Sequence, residues 1–252
     1  MTEVYDTIGV GYSAQRRPDT RIAKALRAAL DGCRTVVNVG AGTGSYEPAD
    51  LDVVAVEPSF TMIRQRRQAA APAVQGRAEG LPFRDSSFDA VLGVLTLHHW
   101  SDVKLGLAEC ARCARHRAAF LTIDVEASGA FWLLRDYFPD IHKVDQDTMP
   151  SLDVLGTVLG PIDSTPVDIP ADCVDGFLGA YWRRPEAYLD PAVRASISAF
   201  SRITDVGERI ETLRRDLTIG RWARRHRNLL NQDSIDLGYR IVIARFSNST
   251  LS

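Results

Sequence analysis

Gly40, Gly42 and Gly44 stand at alternate positions in the run TVVNVGAGTG, residues 35–44. A turn of this kind lacks Cβ atoms, so its backbone takes positive φ and approaches a ligand closely with its amides. The preceding Val36, Val37 and Val39 form a β-branched run interrupted only by Asn38, as a buried parallel strand requires. A nucleotide-like ligand is expected over Gly40, Ala41, Gly42, Thr43 and Gly44. A second apolar run, DVVAV at 52–56, ends in Glu57, seventeen residues after Gly40. In a doubly wound sheet an acidic side chain at that point accepts hydrogen bonds from ribose hydroxyls. His98 and His99 follow a further run, FDAVLGVLTL at 88–97. With an ordinary pKa of about 6.5, an imidazole is suited to taking a proton at neutral pH.

The elements that must position these residues follow from periodicity. Pro18 with Asp19 or Thr20 starts a helix in which Ile22, Leu26, Ala29 and Leu30 recur on one face. Only seven residues, SYEPADL, separate Gly44 from Asp52, too few for a full crossover helix. Ser59 caps a helix expected over 60–70, Val74 and Gln75 form a short strand, and 88–97 is a strand that delivers the two histidines to its carboxyl end. Ser101 is expected to cap a helix reaching Ala114, with Leu107, Cys110 and Ala111 on its apolar stripe, and 118–124 is another strand. The irregular stretch 126–238 is rich in aromatics. In it, 151–159 and 174–181 read as helices, 165–169 as a strand and 191–227 as two or three helices, before a last strand at 239–246.

The stretches VVNVGAGTG, VVAVEPSFTM and GRAEGLPFRDSSFDAV, in this order and spacing, resemble the first three motifs of the class I S-adenosylmethionine-dependent methyltransferases, in their small-molecule type 11 branch. The resemblance covers about residues 5–124 and returns at 239–246, while 126–238 matches no motif. It implies an α/β fold: a Rossmann-like, doubly wound, seven-stranded sheet with the last strand antiparallel and a helical lid insertion. One domain would span 1–252, with a cofactor-binding core of about 20–124 plus 237–246 and a lid of about 126–234 joined by the segment 1–19. The implied cofactor is S-adenosyl-L-methionine, the product S-adenosyl-L-homocysteine, and the partner a small-molecule acceptor. Family contacts carried onto this chain add Pro58, Met62, Ala78, Glu79, Leu95 and Thr96 to the glycine turn and Glu57. Tyr12 and Arg17 would line the methionine end, and His99, with His98 beside it, would lie next to the transferable methyl as general base. Two positions depart from the pattern. Asn38 is one, and the other is Arg77, where an Asp often accepts from the adenine amine; an Arg only donates, which leaves Glu79 or a backbone carbonyl to accept.

The composition restricts the alternatives. A formal charge of −2 argues against a nucleic-acid partner or an anionic membrane surface. No run reaches the length of a membrane span and the amino terminus lacks an apolar segment, so a cytoplasmic protein without membrane association is expected. Cys110 and Cys113 form a lone C-x-x-C without a second pair. They read as helix packing, and no metal site is expected. A nicotinamide oxidoreductase would want G-x-G-x-x-G and a Tyr-x-x-x-Lys pair, and the chain has neither. A protein that binds the methyl donor without catalysis remains the nearer alternative. The cluster RWARRHR at 221–227 is a solvated helix face or an anion site, and the oligomeric state is open.

Overall fold

The computed structural model describes residues 16–246. Its centre is a seven-stranded sheet in the order β3-β2-β1-β4-β5-β9-β6. In chain order these strands are β1 (Thr35–Val39), β2 (Asp52–Glu57), β3 (Ala73–Gln75), β4 (Phe88–Val94), β5 (Ala114–Ile123), β6 (Ile162–Pro166) and β9 (Tyr239–Arg245). The first five pair in parallel, and β9 lies antiparallel between β5 and β6. The doubly wound, seven-stranded architecture with an antiparallel last strand is therefore present. A separate two-stranded sheet joins β7 (Ile169–Pro170) to β8 (Ser234–Ile235).

Alternate residues of a strand face opposite sides of its sheet, and the core divides accordingly. Val36, Leu92, Ala119 and Leu121 pack with Ile22 and Leu26 of helix α1 (Thr20–Ala29) and with the aromatics of 126–238. Val37, Val91, Ala118 and Phe120 pack with Leu107, Cys110 and Cys113 of α3 (Val103–Cys113) and with Leu155 and Leu159. Cys110 and Cys113 are fully buried, which is the packing role their helix position suggested.

Several elements differ from their expected bounds. Helix α2 spans only Phe60–Arg64, because the chain turns at Gln65 and Arg66. Strand β4 stops at Val94, since Leu95 adopts φ +51°, and the histidines sit on a 3-10 turn, Leu97–His99. Asp102, not Ser101, caps α3 by accepting from Leu105 N–H. Strand β5 begins at Ala114 and takes in Arg115, His116 and Arg117. The expected strand at 165–169 divides into the end of β6 and the start of β7. The expected helix over 174–181 is a 3-10 turn, Leu178–Tyr181, because Asp175 is held in long-range hydrogen bonds.

The 126–238 segment carries α4 (Val125–Ser128), α5 (Trp132–Asp136), α6 (Pro139–Thr148), α7 (Leu152–Leu159), α8 (Pro191–Ala195), α9 (Ser198–Ser201), α10 (Val206–Thr218) and α11 (Arg221–Arg225). Most of its aromatics form its own core. Trp132 packs edge-on against Phe131, Tyr137, Tyr188 and Trp222, and its Nε1–H donates to Trp182 O at 2.8 Å.

Candidate active site

The link from β1 to β2 has no helix, and a buried polar network takes its place in fixing the glycine turn. Glu47 and Arg66 form an ion pair at 2.7 Å with side chains 7% and 6% exposed. Arg66 also donates to Gly42 O and Ala71 O, while Ala71 N–H donates to Glu47. Gly40, Gly42 and Gly44 all have positive φ. At Gly40 a Cβ would stand 1.8 Å from Thr96 Oγ1, and at Gly44 it would stand 2.9 Å from Glu47 Oε2. These two positions require glycine for space as well as for backbone angle.

Glu57, at the end of β2, is 5% exposed. Its Oε2 accepts from Gly42 N–H at 2.8 Å and its Oε1 from Ser59 N–H at 2.9 Å. A carboxylate oxygen accepts more than one hydrogen bond, so these contacts fix the group without exhausting it. Asn38 Nδ2 donates to Glu47 at 3.2 Å. Its Oδ1 is a buried acceptor with no hydrogen-bond partner among the described residues.

These groups share one cavity of about 310 Å³. The walls include Gly40, Ala41, Gly42, Thr43, Glu57, Pro58 and Met62 from the first two βα turns, and Ala78, Glu79, Leu95 and Thr96 from the next two. His98 and His99 join them, with ring centroids 3.8 Å apart. His99 is exposed by area yet surrounded by enough protein to be desolvated, the condition of a ring on the wall of a deep concave site. Burial, reinforced by His99 and Arg202, pushes His98 well below its ordinary value. Burial and then Arg202 bring His99 down to about 4. Both rings are therefore neutral at pH 7.

Residues 37–122 match the family described as a methyltransferase domain, type 11. A solved structure from Anabaena variabilis, a candidate methyltransferase from an antibiotic biosynthesis pathway, superposes with a TM-score of 0.84 at 34% identity, covering 92% of this chain and 99% of that one. The chain belongs to the class I S-adenosylmethionine-dependent methyltransferases, in the type 11 branch. A demethylmenaquinone methyltransferase of Renibacterium salmoninarum is 35% identical over 116 residues, 44% of this chain and 47% of that protein. A malonyl-[acyl-carrier protein] O-methyltransferase of Herminiimonas arsenicoxydans is 31% identical over 147 residues, 55% and 53% of the two chains. The chain thus spans about half the length of these curated relatives. Among the described residues no helix is long and apolar enough to cross a membrane.

Set against the methyltransferase pattern, most expected site residues converge on the cavity, with three exceptions. Gly44 packs behind the turn, on Glu47 and Arg66. Arg17 is exposed, and Arg16 beside it lines the cavity instead. Tyr12 lies outside the described residues. Glu79 lines the cavity, but its Oε1 accepts from Ser101 N–H, Ser101 Oγ and Asp102 N–H. Burial alone would raise its pKa; these hydrogen bonds outweigh burial and lower it. Sequence reasoning missed Arg16, Thr148, Ser198, Ser201 and Arg202, which also line the cavity. The last four come from α6, α9 and the residue after α9, and only tertiary packing brings them to the histidines. The arginines of the basic cluster lie on the surface, while Trp222 and His226 are buried beneath them. Arg221 pairs with Asp216, Arg225 pairs with Asp136, and none of its residues lines this cavity.

Proposed function

We propose that the protein transfers the methyl group of S-adenosyl-L-methionine to a small-molecule acceptor and releases S-adenosyl-L-homocysteine. The observation that carries this reading is the meeting, around one cavity, of the glycine turn, the fixed Glu57 carboxylate, an Asn38 Oδ1 with no partner among the described residues, and two neutral imidazoles. Glu57 suits ribose hydroxyls. Asn38 Oδ1 suits a donor such as the ammonium of the methionine moiety, and the bare turn at Gly40 suits close backbone approach. When bound, the cofactor supplies a sulfonium methyl: its carbon–sulfur bond breaks, with the electron pair remaining on sulfur, as the bond to the acceptor forms. The protein then has to hold the acceptor in line and exclude water. His99 is the group positioned to accept or orient an acceptor proton, with the His98 ring tilted beside it at 47°. The 126–238 segment, with the residues before α1, is read as a lid that shapes the acceptor space.

Calorimetric titration of the full chain with S-adenosylmethionine and S-adenosylhomocysteine tests the reading. Both are expected to bind, and Glu57→Ala is expected to weaken them by about 1.5–3 kcal/mol, the usual cost of losing a charged hydrogen bond. Absence of binding by the wild type refutes the proposal. Binding without turnover across a broad acceptor panel points instead to a cofactor-binding protein without catalysis.

A further inference from the structure

The insertion contributes Thr148, Ser198, Ser201 and Arg202 to the wall of the cavity that holds the glycine turn and the two histidines. A smaller chamber of about 60 Å³ shares Arg16, Leu95, His98, Ser198 and Arg202 with it, so these five residues form the partition between the two spaces. The rest of the chamber is largely apolar, with Ile123, Met149, Phe177 and Ile197 among its walls. Leu95 takes left-handed backbone, φ +51°, fixed by its N–H donating to Leu121 O at 2.8 Å. A leucine seldom adopts that conformation, and such strain concentrates at ligand sites. Here it ends β4 and sets the Leu95 side chain into the partition.

Arg202 governs the polarity of the partition. Its Nη2–H donates to Asp145 at 2.6 Å and its Nη1–H to Thr148 Oγ1 at 3.1 Å. A guanidinium has five N–H donors; these two bonds occupy one on each Nη, and the buried Nε–H has no partner among the described residues. The positive charge reaches both imidazoles. Asp145 is the carboxylate in the chamber wall, and it is already paired with Arg202. An ammonium would have to stand beside a guanidinium, with only weakly basic imidazoles to deprotonate it. An alcohol would meet the same weak bases, and proton abstraction is effective only between groups of comparable pKa. An oxygen anion meets a charged fork with unused donors.

We infer that this chamber is the acceptor subsite, and that the acceptor is a small oxygen acid, either a carboxylic acid or an acidic phenol or enol, bound as its anion against Arg202 with its apolar body between Ile123, Met149, Phe177 and Ile197. The inference rests on the methyl-transfer reading for the identity of the second ligand. Its own claim concerns binding. An acceptor that is already an anion cancels the sulfonium charge on transfer, and no proton has to be moved in that step.

The test uses the full chain saturated with S-adenosylhomocysteine. Small aliphatic and aromatic carboxylates, phenols, primary alcohols and primary amines of matched skeleton are titrated and followed by ligand-observed NMR. Acids are expected to bind at least about tenfold more tightly than the matched alcohols and amines, as a charge-assisted hydrogen bond implies. The rank of carboxylates against phenols then distinguishes the two acid classes. Arg202→Met combined with Asp145→Asn removes the ion pair without leaving a buried carboxylate alone. That double variant, with its fold checked by circular dichroism and its saturation by S-adenosylhomocysteine confirmed by calorimetry, is expected to lose the preference of at least about tenfold. Equal binding of amines or alcohols, persistence of the preference in the double variant, or no acid binding to the saturated complex each overturns the inference. Failure of S-adenosylhomocysteine itself to bind would instead overturn the methyl-transfer reading.

Discussion

Gly40 has the least room of the turn glycines. A methyl group there would stand 1.8 Å from Thr96 Oγ1 on backbone with φ +68°. Gly40→Ala is therefore expected to destabilise the fold by about 1–3 kcal/mol, the range for a strained non-glycine backbone, and to abolish cofactor binding. Gly80 has no atom within 4 Å of its notional Cβ and no positive φ, so Gly80→Ala is the matched control and is expected to be silent in thermal melts and titrations. His99 carries the second expectation at this scale. Its pKa is lowered to about 4 by burial and Arg202, so in the folded protein it is neutral above that value and gains a proton only below it. The profile of kcat/KM is expected to be flat between about pH 5 and 8, without the inflection near pH 6.5 that an ordinary histidine gives. An inflection near 6.5 that disappears in His99→Ala would show that the ring titrates normally. The size of the His99→Ala effect depends on the acceptor: about 10²- to 10⁴-fold in turnover if the acceptor delivers a proton, as for loss of a general base, and far less for a carboxylate that arrives ionised.

At the scale of elements, the missing β1–β2 helix is compensated by the buried Glu47–Arg66 pair, which ties the turn after β1 to the chain after α2. Arg66→Met leaves Glu47 buried without its partner, and breaking such a pair typically costs about 3–5 kcal/mol. A fall in Tm of about 6–20 °C is expected, with weaker S-adenosylmethionine binding, because Arg66 also holds Gly42 O at 3.0 Å. An unchanged Tm would mean that the network does not support the turn. This network explains where the sequence could and could not be read. Val36, Val37, Val53, Val56 and Val91 declare buried strands through local patterning, and the acidic end of β2 sits where the fold puts it. The helix expected over 60–70 ends early because its later residues are drawn toward Glu47, a contact no periodicity encodes. Strand β4 ends early because Leu95 turns left-handed toward Leu121. The histidines were legible by their place after a strand, whereas Arg202 reaches them from more than a hundred residues away.

At the scale of the molecule, the insertion is anchored on one side and meets the cavity on another. Asp175 is 1% exposed, accepts from Arg16 Nε–H at 2.7 Å and from Tyr46 Oη–H at 2.8 Å, and so links the chain before α1, the β1–β2 connection and the insertion. Arg21 bridges Asp19 and Asp172, and Val174 N–H donates to Asp19. The segments that supply Thr148, Ser198, Ser201 and Arg202 lie away from this anchor in sequence and include the short helices α8 and α9. Short helices open at low free-energy cost, and a ligand that closes on them slows their exchange. Hydrogen exchange is therefore expected to slow over residues 139–149 and 191–203 when S-adenosylhomocysteine and a small carboxylate are both bound. With S-adenosylhomocysteine alone, the change is expected to concentrate in the turn at 40–44 and around Glu57. The anchor around Asp175 should be protected already and change little. If the second ligand adds protection only at the glycine turn, the insertion is a fixed wall and the lid reading fails. If protection spreads over 139–149 and 191–203 but survives Arg202→Met with Asp145→Asn, closure occurs without the guanidinium, and the acceptor is recognised by the apolar wall alone.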